Sequence, residues 1–276
     1  IAALDATMLQ VLKEPGRPPT RKSYMYCFRG GPPDKQAIVY GYNATDHKPY
    51  VANWFAGFNG KVHCDADPFF ELLFKSDDVI PSYCNAHARR YFETIANGTR
   101  TGLSHEAMRI YNRLFRLEEV ARKKELSPDQ RLEFRREHAS PLMNDFRVWL
   151  DQYYPTVLPK SPLGTAFAYC IKHWTGLTEF LDDGNLEIHN NHTEQEIKPF
   201  VQARKNFLFC TSVKGAHALA LHFSLIRSAK LHNLDPYRYY VQILKAIPCC
   251  QTVEDFEALL PWNIDLPKVG EVRQAA

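Results

Sequence analysis

From Asn85 to about Leu181 the chain carries helical spacing without a strand-like run, and the strand-like segments of the first half all precede it. Few folds accommodate that separation. Apolar residues recur at Ile110, Leu114, Leu117 and Ala121, then at Leu142, Phe146, Trp149, Leu150 and Tyr153, then at Phe167, Ile171, Trp174, Leu177 and Leu181. Each set falls on one face of a helix with 3.6 residues per turn. Ser104 is placed to cap the first of them. "KKELSPDQ" reads as a loop between helices, and "YPTVLPKSPLG" (154–164) as a Pro-punctuated connection.

Ahead of that block, Ile1 to Leu4 reads as a short strand ending at Asp5. "SYMYCFR" (23–29) and "QAIVYGY" (36–42) flank the turn "GGPPDK" and predict a hairpin. Val51, Trp54, Phe55 and Phe58 mark a short amphipathic helix, ended by Gly57 and Gly60. Residues 61–65 predict a strand ending at Asp65, residues 68–74 a helix with Pro68 in its first turn, and residues 79–85 another strand. The first three strands suit an antiparallel meander. The later ones alternate with helices, as parallel crossovers require. Helical spacing returns at about Asn190, at 215–231 and at 236–246, so the class is α/β.

The chain of 276 residues is long enough to bury a sizeable core. Its net charge of +3 is too small to name a polyanionic partner, so the local distribution of charge must do so. The seven cysteines are scattered and mostly lie in apolar runs, which suits buried thiols in a reducing cytosol. The sequence contains neither a run of 18 apolar residues nor a signal peptide. It opens at Ile1 and passes almost at once into a strand, as an internal fragment or a trimmed chain would.

The stretch "NLEIHNNHTEQEIKPFVQARKNFLF" (185–209) sets Glu187, Glu194 and Glu196 beside paired asparagines at the head of a basic run. After Glu196 come Lys198, Arg204, Lys205, Lys214, Arg227 and Lys230 before the next carboxylate, Asp235. A cation-rich strip suits a polyanion, and a carboxylate within it suits a metal. Asp5 and Asp65 each stand at a predicted strand end, the edge where α/β sheets bind ligands. With Glu194 they would form a set of hard oxygen donors, fitted to Mg²⁺ or Mn²⁺ rather than Zn²⁺. Two such ions roughly 3.5–4 Å apart support displacement at a phosphodiester. Spacing alone leaves this open. A lone Asp at a strand end is usually a turn residue or a cap, a helical Glu is usually solvated, and Asp67, Glu71, Asp182, Asp183 and Glu187 are rivals.

These residues lie in stretches that resemble one family, the DDE transposases of bacterial insertion sequence 66. "LDATMLQVL", "YMYCFRGGPP", "KVHCDADPF" and "CNAHARRYF" resemble its early segments. "SPLGTAFAYCIKHW", "FLDDGNLEIHNNHTEQEIKPFVQARKNFLF", "SLIRSAKLHNLDPYRYYVQIL" and "LLPWNI" follow in family order. The resemblance implies a ribonuclease-H-like core: a mixed five-stranded sheet with flanking helices and a large all-helical insertion. The implied division is 1–92 for the first part of the core, 93–184 for the insertion, 185–247 for the second part with the Glu helix, and 248–276 for a C-terminal tail.

Carried over by position, the resemblance makes Asp5, Asp65 and Glu194 the catalytic metal ligands, with His87 near the scissile phosphate. The alternative for His87 is a first-turn histidine bonded to backbone. Arg89, Arg90, Lys198, Arg204 and Lys205 become DNA contacts, and Asn190 and Asn191 support the Glu194 helix as caps. Phe207 and Phe209 fit a core better than a base-stacking platform. The implied activity needs Mg²⁺ or Mn²⁺, in two ions. Water cuts DNA at an element end, and the freed 3′-hydroxyl then attacks target DNA. Transposon ends and target DNA, a homo-oligomer and accessory proteins are the implied partners, with no membrane, in the cytoplasm at the nucleoid. Relatives also carry an N-terminal part that recognises element ends, and this sequence shows none before Ile1, so end recognition is not expected from this stretch.

Three positions depart from the family pattern. Ala6 stands where an acid usually follows the first Asp, His189 where an Asp usually precedes the Asn pair, and Gln195 where an Arg usually follows the Glu. Each adjoins or lies near a member of the triad, which keeps two alternatives in view. One is a catalytically impaired DNA-binding remnant. The other is a ribonuclease-H-like nuclease that cuts without joining.

Overall fold

The computed structural model describes residues 1–45 and 48–269, in two compact units. A strand-rich unit takes Ala2–Tyr50 and His192–Ala276, and a helix-rich unit takes Ile1 with Val51–Asn191. The part of the expected tail from 270 to 276 lies outside the described residues.

The chain begins in the strand-rich unit with β1 (Ala2–Lys13), β2 (Lys22–Gly30) and β3 (Ala37–Asn43). β1 pairs antiparallel with β2, and β2 with β3, giving the expected meander. β1 runs well past the predicted end at Leu4. The residues after Asp5 keep the period of two, with Leu9 and Val11 buried, Gln10 between them partly exposed and Met8 before them 44% exposed. One carboxylate interrupts the apolar run without interrupting the backbone ladder, so Asp5 is an interior strand residue and not a strand end.

After α1 (Lys48–Trp54) the chain enters the helix-rich unit. There β4 (Gly60–Cys64) and β5 (Val79–Tyr83) pair in parallel, with Cys64 opposite Tyr83. The helix predicted for 68–74 is two 3₁₀ turns, Pro68–Phe70 and Leu73–Lys75. Asp67 caps the first by accepting the Phe69 N–H at 2.9 Å, and non-helical backbone at Phe74 ends continuity in the second.

Five helices follow: α2 (Asn85–Ala96), α3 (Leu103–Lys123), α4 (Pro128–Tyr153), α5 (Pro162–Lys172) and α6 (Trp174–Thr178). The Ser104 cap is not formed. Gly102 holds the N-cap position at φ 119°, and Ser104 is buried inside α3. The third predicted apolar face is divided at His173 between α5, α6 and a 3₁₀ turn at Glu179–Asp182. Within α6, Gly176 lies so close to Tyr83 that an added Cβ would enter its ring. Phe92, Tyr111, Leu114, Phe146, Leu150 and Phe167 share one core.

Within it Arg135 is fully buried, bonded by Nε and Nη2 to Glu118 at 2.8 and 2.6 Å. It also donates to the carbonyls of Phe180, Asp183 and Leu186 at 2.8 to 2.9 Å. A buried charge is tolerated only when paired and saturated in this way.

The chain returns to the strand-rich unit through α7 (Asn191–Phe207), β6 (Cys210–Ser212), α8 (Val213–Leu231), α9 (Pro236–Ala246) and α10 (Val253–Ala258). β6 pairs parallel to β1, with Val11 opposite Cys210. Sequence spacing did not anticipate it, because three residues are too few to show alternation. Leu9, Val11, Cys27, Ile197, Phe200 and Ala216 form this unit's main core. Phe207 packs against that core, as expected. Phe209 does not: it is 41% exposed, just past the left-handed Leu208 that ends α7. The α/β class and mixed strand directions are as the sequence implied.

Candidate active site

In the strand-rich unit, Asp5 stands opposite Cys27 on β2, and Cys27 stands opposite Tyr40 on β3. That row of the sheet leads to α7. The Tyr40 hydroxyl donates to the backbone carbonyl of Glu196, and the Glu196 carboxylate accepts from Arg227 Nε at 2.6 Å. The helix that carries Glu194 in its first turn is thereby tied to the sheet row that begins at Asp5. Burial pushes the Cys27 thiol well above its usual range, with the negative charges of Asp5 and Glu196 adding to the effect. The Tyr40 hydroxyl is likewise raised by burial, then by Cys27. Both therefore stay neutral beside the carboxylates. Asp5 accepts the N–H of Ala6 through Oδ1 at 2.7 Å.

The basic strip divides. Lys198 and Lys205 are exposed and, seven residues apart, share a face of α7. Arg204 is half-buried and turned to the sheet, where Nη1 donates to Thr7 Oγ1 at 3.2 Å. Thr7 lies two residues along β1 from Asp5, on the same side of the strand. Arg227 is not part of an open cationic strip, because Glu196 neutralises it. Asn190 directly precedes α7 and Asn191 is its first residue. Asn190 is buried, and its N–H donates to Cys84 Sγ at 3.2 Å.

In the helix-rich unit, Asp65 directly follows β4 and His87 lies in the first turn of α2. Asp65 Oδ2 is 2.9 Å from His87 Nδ1. Tyr91 and Tyr169 flank the imidazole, at ring separations of 5.5 and 5.7 Å. Burial, followed by the charge of Asp65, pushes the Tyr169 hydroxyl well up. Beside His87 opens a recess of about 410 Å³ that Arg90, Tyr91, Ile95 and Pro162 also line. Arg89 is half-occupied by Glu93 at 3.0 Å. The sequence carried one signal for the aromatic frame, since Tyr91 is four residues from His87 on one helix face. Tyr169 and Tyr40 gave none.

The rival carboxylates mostly have structural duties. Asp67 is a cap, Asp183 accepts from the Asn185 backbone N–H at 2.9 Å and lies 3.6 Å from Lys61, and Glu187 pairs with Arg131 at 3.1 Å. Asp65 differs from them. Its Oδ1 is shielded and accepts no hydrogen bond among the described residues. A buried carboxylate oxygen without a donor is costly unless a cation takes it, and oxygen donors of this kind suit a divalent ion. No helix among the described residues is long and apolar enough to cross a membrane.

The family model "Transposase IS66 family" matches residues 1–218, and "IS66 C-terminal element" matches residues 224–262. Uncharacterized protein y4jD of Sinorhizobium fredii is 30% identical over 97% of this chain and 54% of its own length. Uncharacterized proteins y4hP and y4qI of the same organism are 26% and 28% identical, over 90% and 96% of this chain and 47% and 51% of theirs. The chain thus spans about half the length of these curated relatives. No solved structure matches it significantly. With both family models matched in order along nearly its whole length, the chain belongs to the IS66 family of transposases.

Proposed function

We propose that this chain is the catalytic core of a DDE transposase, cutting DNA at an element end and joining the freed 3′-hydroxyl to target DNA. The carrying observation is the family match over residues 1–218 together with the shielded, donor-free Oδ1 of Asp65. Asp5, Asp65 and Glu194 hold Mg²⁺ or Mn²⁺, in two ions. When bound, the ions supply Lewis-acid activation of the attacking oxygen and charge stabilisation of the leaving one.

The chain's own residues do the rest. Tyr40 and the Glu196–Arg227 pair fix the helix bearing Glu194 against its sheet. Tyr91 and Tyr169 hold the His87 ring, and Asp65 orients it through Nδ1, leaving Nε2 to meet a phosphate oxygen. Lys198 and Lys205 hold the DNA backbone from the exposed face of α7, with Arg204, Arg89 and Arg90 as further phosphate contacts. Asn190 and Asn191 support the start of α7.

The ribonuclease-H-like fold belongs to the same proposal, as does the division at 1–92, 93–184, 185–247 and 248–276. A meander led by the strand of the first Asp, followed by a parallel pair with the second Asp at its exit, is the strand order that such a core needs. Two element ends call for a homo-oligomer, with accessory proteins as further partners, acting at the nucleoid.

A specific observation favours the impaired-remnant reading: Gln195 is exposed beside Glu194, and His189 stacks on Phe115 at 6.0 Å where the family has an acid. One experiment separates the readings. The protein is incubated with Mn²⁺ and intact duplexes carrying the terminal repeats of its own element, plus target plasmid. Joined product supports the proposal, cleavage alone supports the nuclease, and DNA binding without either supports the remnant.

A further inference from the structure

The exposed face of α3 carries Arg109, Arg113 and Arg116. At i, i+4 and i+7 they form one ridge, about 10 Å long at 1.5 Å per residue. None of the three takes part in an ion pair among the described residues. The acids of α3 are engaged elsewhere. Glu106 accepts from Trp149 Nε1 at 3.0 Å, Glu118 is held by the buried Arg135, and Glu119 is bonded to Lys123 at 2.7 Å. Glu119 lies close enough to feel the charge of Arg116, but Lys123 dominates its surroundings.

At the C-terminal end of the ridge, beside Arg116, opens a cleft of about 520 Å³, lined by Arg89, Asn112, Phe115, Arg116, Glu119 and Asn191. Arg89 reaches towards Asn112 Oδ1 at 3.5 Å, so guanidinium groups from α2 and α3 face one opening. A ridge of planar cations without ion-pair partners, with donors converging on a cleft at its Arg116 end, suits a row of phosphates better than a protein surface of mixed charge.

We propose that α3 is a second DNA-binding surface of this protein: Arg109, Arg113 and Arg116 track a duplex backbone, and one phosphate seats in the cleft between Arg116 and Arg89. This rests on the DNA-processing reading above and adds a contact remote in sequence from Lys198 and Lys205. A surface of this kind lengthens the footprint on DNA without adding base readout.

The test is fluorescence anisotropy with a labelled 30-base-pair duplex of arbitrary sequence, titrated across a range of KCl. Replacing the three arginines by alanine should weaken binding at least tenfold and flatten the salt dependence by about 2–3 logarithmic units per decade of salt. Their replacement by lysine should retain most of both. The residues are exposed, and an unchanged circular dichroism spectrum checks the fold. Unchanged affinity and slope in the alanine variant overturn this inference alone, provided that Lys198→Ala/Lys205→Ala still weakens binding. Absence of duplex binding by the unaltered protein overturns the DNA-processing reading beneath it. Equal, arginine-dependent binding of duplex RNA would replace DNA as the assigned partner.

Discussion

The Tyr40 hydroxyl donates to the backbone carbonyl of Glu196, two residues beyond Glu194 in α7. With the Glu196–Arg227 pair, this bond ties the first turns of that helix to the strand row of Asp5. Tyr40→Phe keeps the ring contacts with Phe200 and Phe223 at 6.1 and 5.5 Å and removes the tie together with the hydroxyl's contact to the buried Cys27 thiol. Supporting bonds around metal ligands are worth 10–100-fold in affinity or activity, so Mn²⁺ affinity should fall about tenfold. Stability should fall by about 1 kcal/mol. Isothermal titration and a thermal melt check both. An unaltered Mn²⁺ affinity would show that the helix is positioned by other contacts.

Asp65 and Asp67 provide an internal comparison. Asp65→Asn should abolish Mn²⁺ binding and cleavage while leaving the melting temperature unchanged or raised, because its Oδ1 makes no hydrogen bond to lose. Asp67→Ala should do the reverse, costing about 1 kcal/mol through the lost cap and leaving metal binding intact. A chelator should reproduce the Asp65→Asn defect in the unaltered protein without releasing duplex DNA. If Asp67→Ala proved to be the variant that loses Mn²⁺, the ligand assignment would fall.

His87 touches Asp65 at 2.9 Å and lines the neighbouring recess. If it meets a phosphate oxygen, His87→Ala should slow cleavage about 10²-fold. His87→Gln, which keeps a donor, should recover part of that rate, and Mn²⁺ affinity should change only a few-fold in either. Equal loss in metal affinity and rate would reduce His87 to a support of Asp65.

Arg135→Met strands Glu118 and three carbonyl groups in the core of the helix-rich unit. Breaking one half of a buried pair costs about 3–5 kcal/mol. At about 2–4 °C per kcal/mol for a protein of this size class, the melting temperature should drop by roughly 10 °C. Adding Glu118→Leu should restore much of it. Differential scanning calorimetry of the single and double variants decides whether the pair matters as a pair.

Cys27, Cys64, Cys84, Cys170 and Cys210 are buried free thiols, while Cys249 is exposed and Cys250 half-exposed. Burial raises the Cys27 thiol far above neutrality, and the charges of Asp5 and Glu196 raise it further, so mild alkali leaves it unreactive. Iodoacetamide at pH 8 should modify Cys249 first and Cys250 more slowly, and should reach the buried five only after denaturant is added. Peptide mass mapping reads the order. Rapid labelling of Cys27 in native protein would contradict the packing around β2.

The class of the fold was legible because period-two and period-3.6 segments were separated along the chain. The meander and the α3 and α4 faces follow directly from that separation. The errors share a cause. Asp5 reads as a strand end because a charge in an apolar run usually terminates it, but the ladder to β2 holds through Tyr26 and Met25. Ser104 reads as a cap because its side chain suits one, but Gly102 takes the left-handed conformation that Ser disfavours. Asp65 and His87 were singled out by their motifs, but nothing in the sequence showed that the two side chains touch. Arg135 and Tyr40 carried no sequence signal, because Tyr40 bonds a remote backbone carbonyl and Arg135 bonds Glu118 and three carbonyls, none of them at helical spacing from it.

The strand-rich unit is assembled from two stretches of chain with the whole helix-rich unit inserted between them. Its meander waits for α8, which bonds β3 through Ser228 and Ile38, 190 residues apart. On the ribosome, the helix-rich unit emerges as one continuous segment rich in local contacts and is free to fold first. The meander must meanwhile keep its apolar core face uncovered until the C-terminal helices arrive. The step that completes this unit's core is also the step that delivers Glu194. On the function proposed above, a nascent chain that ends before α7 lacks Glu194, one of its three proposed metal ligands, so the order of synthesis itself would delay DNA cleavage until α7 and α8 have been made.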